Sequence, residues 1–423
     1  MPFSSRSHRL VILRRAAVLL AAALIPGIAA TAQAAPDYSG FTAARFIPFV
    51  VPMSSASNPA QYQPPALRFT IQGKSYTATM DTGSTGVMLS ATSIPGYTPN
   101  TACQDPSSYP GWEFLSSSKR LWVGHWIPEE INFSDAQGGT VTATVPVLAV
   151  ECEAVCPQYH EEAAQPVCPG TPLHRASPEI HYMGVGFGRE HDGQPQGTPE
   201  KNPLLNVTSI GGTSVAPGSM RSGYIITSQG AHVGLTPANT SGFVYTMLTC
   251  PQPPNARNCS QAPICVLVDG SSCAQGAVLV DTGIPQMYLS VPPGVPVRTQ
   301  SVQDPSNSAL QICALQNGSR VTVRFGAPNA IAFYSFVVAQ SPAQPTQPTL
   351  VLLPPSTAGS PPACVPSSGG PGRPAFVNTG GNFLQGFDVL FDADGGFFGL
   401  RWKGPAGSSE GGLGPGPQTP PQK

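Results

Sequence analysis

Two aspartates carry the chemistry this sequence could do. Asp81 opens the run Asp81-Thr82-Gly83-Ser84, and Asp281 opens a second, Asp281-Thr282-Gly283-Ile284. Each follows a strand-like stretch, residues 76–80 or 276–280, and each precedes an apolar one, 87–89 or 287–289. A single Asp-Thr-Gly is an ordinary turn between strands. Two copies in one flanking pattern suggest two loops facing each other. Carboxyl groups held about 3 Å apart cannot both ionise, so they share a proton. The ionised member can then draw a proton from a water while its partner polarises a carbonyl, and an amide is hydrolysed without a covalent intermediate. Gly83 and Gly283 let backbone N–H groups reach each carboxylate, and Thr82 and Thr282 can bond across and lock the loops together. Ser84 can support the outer oxygen of Asp81; Ile284 cannot do so for Asp281.

The elements that must position these loops are strands. Pro (49) and Gly (45) are abundant while charged residues are only 10% of the 423, which favours short strands and turns over helices, an all-β fold. Residues 67–71 alternate, Gln72-Gly73-Lys74 reads as a turn, and 76–80 is the return strand that delivers Asp81. Residues 112–115, 116–119 and 120–123 read as strand, polar tip and strand, a projecting hairpin. The glycine-dotted run 182–188 reads as a buried strand allowing close backbone approach, and it lacks the strand–loop–helix setting of a dinucleotide site. Residues 46–51 suggest an edge or interlobe strand. The closing pair is 387–391 and 396–402, joined at Asp392-Ala393-Asp394-Gly395. Residues 341–374 read as an unpacked Pro/Ser/Ala interruption, and 404–423 as a disordered Gly/Pro-rich tail.

Arg6, Arg9, Arg14 and Arg15 precede an apolar run over residues 16–25, broken by Pro26-Gly27 and followed by Ala32-Gln33-Ala34. Residues 1–34 therefore read as an export signal, too short in its apolar core for the roughly 20 residues that span a bilayer. The expected location is periplasmic or secreted, with Sec and twin-arginine export both open. Ten cysteines follow the signal; in an exported chain they favour disulfides, with Cys313 and Cys364 a plausible pair. Zinc at Cys152, Cys156, Cys168 and His160 is the weaker alternative, since C-x₂-C knuckles are absent. A net charge of −1 gives no sign of a nucleic-acid or membrane partner. No metal and no cofactor are expected.

With these residues in view, the chain resembles the pepsin-like aspartic proteases. The likeness rests on the two Asp-Thr-Gly loops and their spacing, on Met183-Gly184-Val185-Gly186-Phe187, and on the closing run from Asn382 to Leu400. It implies a bilobal all-β fold with a central cleft: an N-terminal lobe over 35–218 bearing the Asp81 loop and a C-terminal lobe over 219–403 bearing the Asp281 loop. It also implies an aspartic endopeptidase, expected as a monomer, acting on a polypeptide substrate through Asp81 and Asp281. The family's flap Tyr falls on Phe114, followed by Leu115 instead of Gly, and the Trp it bonds falls on Met88. A catalytically weak or inactive module that binds a peptide or glycan on the same fold is the alternative.

Overall fold

The computed structural model describes residues 35–50, 52–53, 62–100, 103, 108–159, 165–253, 255–305, 307–353 and 374–414. The expected export signal lies outside them. Strands dominate these residues, and the α-helix they contain, Pro237–Thr240, is a single turn. The alternation read in the sequence sets which faces pack. In strand Ala66–Ile71, Leu67, Phe69 and Ile71 are buried while Arg68 is exposed, the one-face-in pattern of a sheet covered on one side.

Among the described residues there are three sheets, two of ten strands and one of six. The first ten-stranded sheet runs from Ala66–Ile71 to Thr213–Ser214, and the second is built from Ala262–Val268 onward. The third is the six-stranded sheet, whose strands come from early, middle and late parts of the chain. It orders Arg45–Pro48, Gly230–Leu235, Arg221–Ile226, Phe387–Asp392, Phe397–Trp402 and Val244–Met247. Arg45–Pro48 is thus an edge strand, as residues 46–51 suggested. The turn after Phe387–Asp392 is held by Arg221, whose Nε and Nη2 donate to the fully buried Asp392 carboxylate at 2.8 and 3.0 Å. That paired, planar geometry compensates a charge that burial alone would penalise.

Each large sheet contains the same device. Strand Lys74–Asp81 runs parallel to His181–Val185, which is antiparallel to Thr85–Ser90. In the second sheet Ala274–Leu279 runs parallel to Ala375–Asn378, which is antiparallel to Met287–Ser290. A later strand is thereby inserted between the two arms of each Asp loop. Gly184 and Gly186 make the first insertion possible. A Cβ on Gly184 would lie 2.6 Å from the Ser84 carbonyl carbon, and one on Gly186 would lie 2.3 Å from the Thr82 oxygen.

Among the described residues four disulfides join Cys103–Cys152, Cys156–Cys168, Cys250–Cys259 and Cys265–Cys273. Cys152, Cys156 and Cys168 are therefore committed to disulfides and not to zinc. The suggested pairing of Cys313 with Cys364 reaches outside the described residues.

Two expectations are corrected. Within the stretch read as unpacked, Val351–Leu352 is a buried strand pairing with Met287–Ser290 and Asn307–Leu315. Two residues are too few to show a period. The tail read as disordered from Gly404 continues into strand Gly411–Leu413, which pairs with Ala332–Val337. Glycine suits this strand because it crosses the Trp402 ring, where a Cβ on Gly411 would come within 2.6 Å.

Candidate active site

Thr82 and Thr282 fasten the two loops to each other. The backbone N–H of Thr82 donates to Thr282 Oγ1 at 3.0 Å, and that of Thr282 donates to Thr82 Oγ1 at 3.1 Å. Each hydroxyl then donates onward: Thr82 to the Val280 carbonyl at 2.6 Å, Thr282 to the Met80 carbonyl at 2.9 Å. All four groups are buried and satisfied, so the connection is rigid. Tyr62 braces it from behind, donating its hydroxyl to the Thr282 carbonyl at 2.6 Å.

Asp81 and Asp281 are 4% and 7% exposed, deep enough for each to feel the other. Gly83 N–H donates to Asp81 Oδ1 at 2.6 Å, and Gly283 N–H donates to Asp281 Oδ1 at 2.8 Å. The outer oxygens are held differently. Asp81 Oδ2 accepts from Ser84 Oγ at 2.7 Å and from the Tyr182 hydroxyl. Asp281 Oδ2 accepts from Asn378 Nδ2 at 2.6 Å. Burial, and then the neighbouring Asp81 charge, push the Asp281 carboxyl well above the usual carboxylate range. A proton on Asp281 beside a triply donated Asp81 is the arrangement a shared-proton pair needs.

The loops face a cleft of about 450 Å³ lined from both large sheets, with Tyr182 on one side and Ile284, Tyr288 and Asn378 on the other. The hairpin of Gly111–Leu115 and Arg120–Ser134 contributes Leu115, Ser116, Ser117 and Lys119 to it. Phe114, the residue expected over the substrate, points away from it. It is buried in a separate cluster with Tyr109, Leu121 and Val123, and stacks on Tyr159 with ring centroids 4.2 Å apart. Strand alternation gives the cleft to the next residue, Leu115. On Leu115's face of the strand Glu113 is buried, and burial pushes its carboxyl up to about 8 against the pull of Arg189 and Lys201.

The structure thus brings Asp81, Thr82, Gly83, Ser84, Asp281, Thr282 and Gly283 together and leaves Phe114 outside. Sequence reasoning missed Tyr62, Tyr182 and Asn378. A polar residue within an otherwise apolar strand beside each glycine run is the signal that could have pointed to the last two.

The fold is the bilobal all-β arrangement that the resemblance implied, and Asp81 and Asp281, from the two ten-stranded sheets, line one cleft. No family model matches the sequence, and no curated protein matches it. Among solved structures the chain is similar to the aspartic proteinase from Irpex lacteus, with 13% identity and a TM-score of 0.42 over 85% of this chain and 97% of that one. It is also similar to Basic 7S globulin from soybean, with 11% identity and a TM-score of 0.43 over 86% of this chain and 97% of that one.

Proposed function

We propose that the protein is an exported aspartic endopeptidase that hydrolyses peptide bonds with Asp81 and Asp281. The observation that carries this reading is the pair itself: two buried carboxylates, held by cross-bonded loops, facing one cleft. Asp81 takes a proton from a water held between the pair as the water oxygen attacks the scissile carbonyl carbon. Asp281 gives its proton to the carbonyl oxygen. The tetrahedral diol collapses by breaking its C–N bond, the proton on Asp81 passes to the departing amine, and a diol hydroxyl returns a proton to Asp281. The amine and the acid leave, and the shared proton is restored. The four disulfides support an oxidising, exported setting. Among the described residues no helix is long and apolar enough to cross a membrane.

A second reading is peptide binding without turnover, favoured by one observation: the hairpin offers the cleft Leu115, two serines and Lys119, with no aromatic hydroxyl to cover the reacting bond. One experiment separates the two. Purified chain is incubated with a denatured protein from about pH 3 to 7, with and without a statine-type inhibitor, beside Asp81→Asn and Asp281→Asn. Inhibitor-sensitive cleavage abolished by either substitution supports the peptidase. Folded chain that binds the inhibitor but cleaves nothing supports the binding module.

A further inference from the structure

Tyr182 and Asn378 stand at equivalent points of the two large sheets. Tyr182 is the partner of Thr79 in the parallel pairing and of Met88 in the antiparallel one. Asn378 is the partner of Leu279 and of Tyr288. Thr79 precedes Asp81 by the same two positions as Leu279 precedes Asp281, and Met88 and Tyr288 follow their aspartates by the same seven. By register, these two residues hold equivalent positions relative to their Asp loops. Both line the cleft, and both donate to the outer oxygen, Oδ2, of their own lobe's aspartate.

We infer that Tyr182 and Asn378 are a symmetry-related pair of positioning residues whose unequal donors hold the two carboxylates in place and decide which of them is ionised. The inference rests on reading Asp81 and Asp281 as the working pair. A hydrogen bond to a carboxylate favours its charged form. Asp81 Oδ2 has two hydroxyl donors, Ser84 and Tyr182, whereas Asp281 Oδ2 has one amide. Ile284 occupies the place where Ser84 serves Asp81, so Asn378 supplies the donor that the second loop lacks. Its amide has one orientation, because Gly380 N–H donates to Asn378 Oδ1 at 3.1 Å and leaves Nδ2 for Asp281. The Tyr182 phenol stays protonated through acid and neutral pH, since burial and the nearby Asp81 charge push it well above its ordinary range.

Other titratable groups sense the pair: Glu113 on the hairpin strand, Tyr62 behind the second loop and Tyr288 beyond it. Lys119, Arg189, Asp192 and Asp304 line the same cleft. None of them is altered in the variants below.

The test uses the full chain labelled with carboxyl-¹³C aspartate, with Asp81 and Asp281 signals assigned by their Asn variants. Tyr182→Phe removes one hydroxyl and keeps the ring edge-on to Trp122 at 5.5 Å. It is expected to move the Asp81 titration upward and to carry the acid limb of peptide cleavage with it. Asn378→Leu is expected to move the Asp281 titration upward, and with it the alkaline limb. Unmoved titrations in folded variants, or movement in only one of the two, overturn the pair. Shifted titrations in a chain that cleaves nothing keep the pair and discard the peptidase; cleavage with unshifted titrations does the reverse.

Discussion

Gly83 lies against the carboxyl group of Asp281: a Cβ added to it would fall 2.5 Å from Asp281 Cγ. Gly283 stands in the same relation to Asp81, with a Cβ position 2.8 Å from Oδ1. Each loop's glycine touches the aspartate of the other loop. Neither adopts a left-handed φ, so close approach, and not turn geometry, is what requires glycine at these positions.

Gly83→Ala is therefore expected to displace Asp281 rather than unfold the loop. Side-chain misplacement of about 1 Å at a reacting centre costs on the order of 100-fold in rate. Steady-state cleavage of a chromogenic peptide should show at least that loss in kcat/KM, with the circular dichroism spectrum unchanged. Wild-type activity in Gly83→Ala would show that the carboxylates are not held this closely.

The crossed threonine bonds predict non-additive losses. Thr82→Ala leaves the buried Thr282 N–H without its acceptor, and Thr282→Ala does the same to Thr82, each costing about 1–3 kcal/mol. Once one loop is released the other hydroxyl has less to hold. The double variant should lose less than the two singles added together, by about 0.5–3 kcal/mol. Urea denaturation of all four species completes the cycle; simple additivity would mean the loops are fixed by something else.

Stability should favour acid through two groups. Asp281 has its folded-state pKa raised above the unfolded 3.8, and Glu113 has its own raised from 4.5 to about 8. Between the unfolded and folded values the native state binds more protons than the unfolded chain. Stability from these groups is thus complete below the unfolded pKa and is lost as pH rises through the window, which for Glu113 runs from about 4.5 to about 8. Asp281→Asn and Glu113→Gln should melt above wild type at pH 7, with the difference shrinking toward pH 3. Scanning calorimetry across that range measures it, and a gap that widened toward acid would reverse the assigned sign.

Phe114 and Leu115 should separate stability from substrate handling. Phe114→Ala opens a cavity beside Tyr159 and should cost about 3–5 kcal/mol while KM stays near wild type. Leu115→Ala, at a half-buried side chain packed against Met88 and Trp122, should cost less stability than Phe114→Ala and raise KM. The opposite partition would return Phe114 to the cleft.

Much of this was legible because it is local. Asp81 and Asp281 announce themselves by a repeated pattern of strand, Asp-Thr-Gly and strand, and the closing hairpin by its turn residues. Tyr182 and Asn378 act on aspartates 101 and 97 residues away, and only the insertion of their strands between the loop arms creates those contacts. Phe114 was misplaced for a related reason. Aromatic residues at 112 and 114 mark one face of the hairpin, but which face meets the cleft depends on the cluster of Tyr109, Tyr159 and the disulfides Cys103–Cys152 and Cys156–Cys168, which buries Phe114. Val351–Leu352 escaped because pairing, and no periodicity of its own, makes it a strand.

The inserted strand Ala375–Asn378 has a consequence for how the molecule comes into being. As the chain leaves the ribosome, the Asp81 loop is complete some 200 positions before Thr282 exists to receive its N–H. Asp281 in turn waits 97 positions for Asn378, and the six-stranded sheet waits longer still for Phe387–Trp402. Until residue 378 has been made, Asp281 lacks the side-chain donor to its outer oxygen. The order of synthesis therefore supplies the outer-oxygen donors of Asp81 well before that of Asp281.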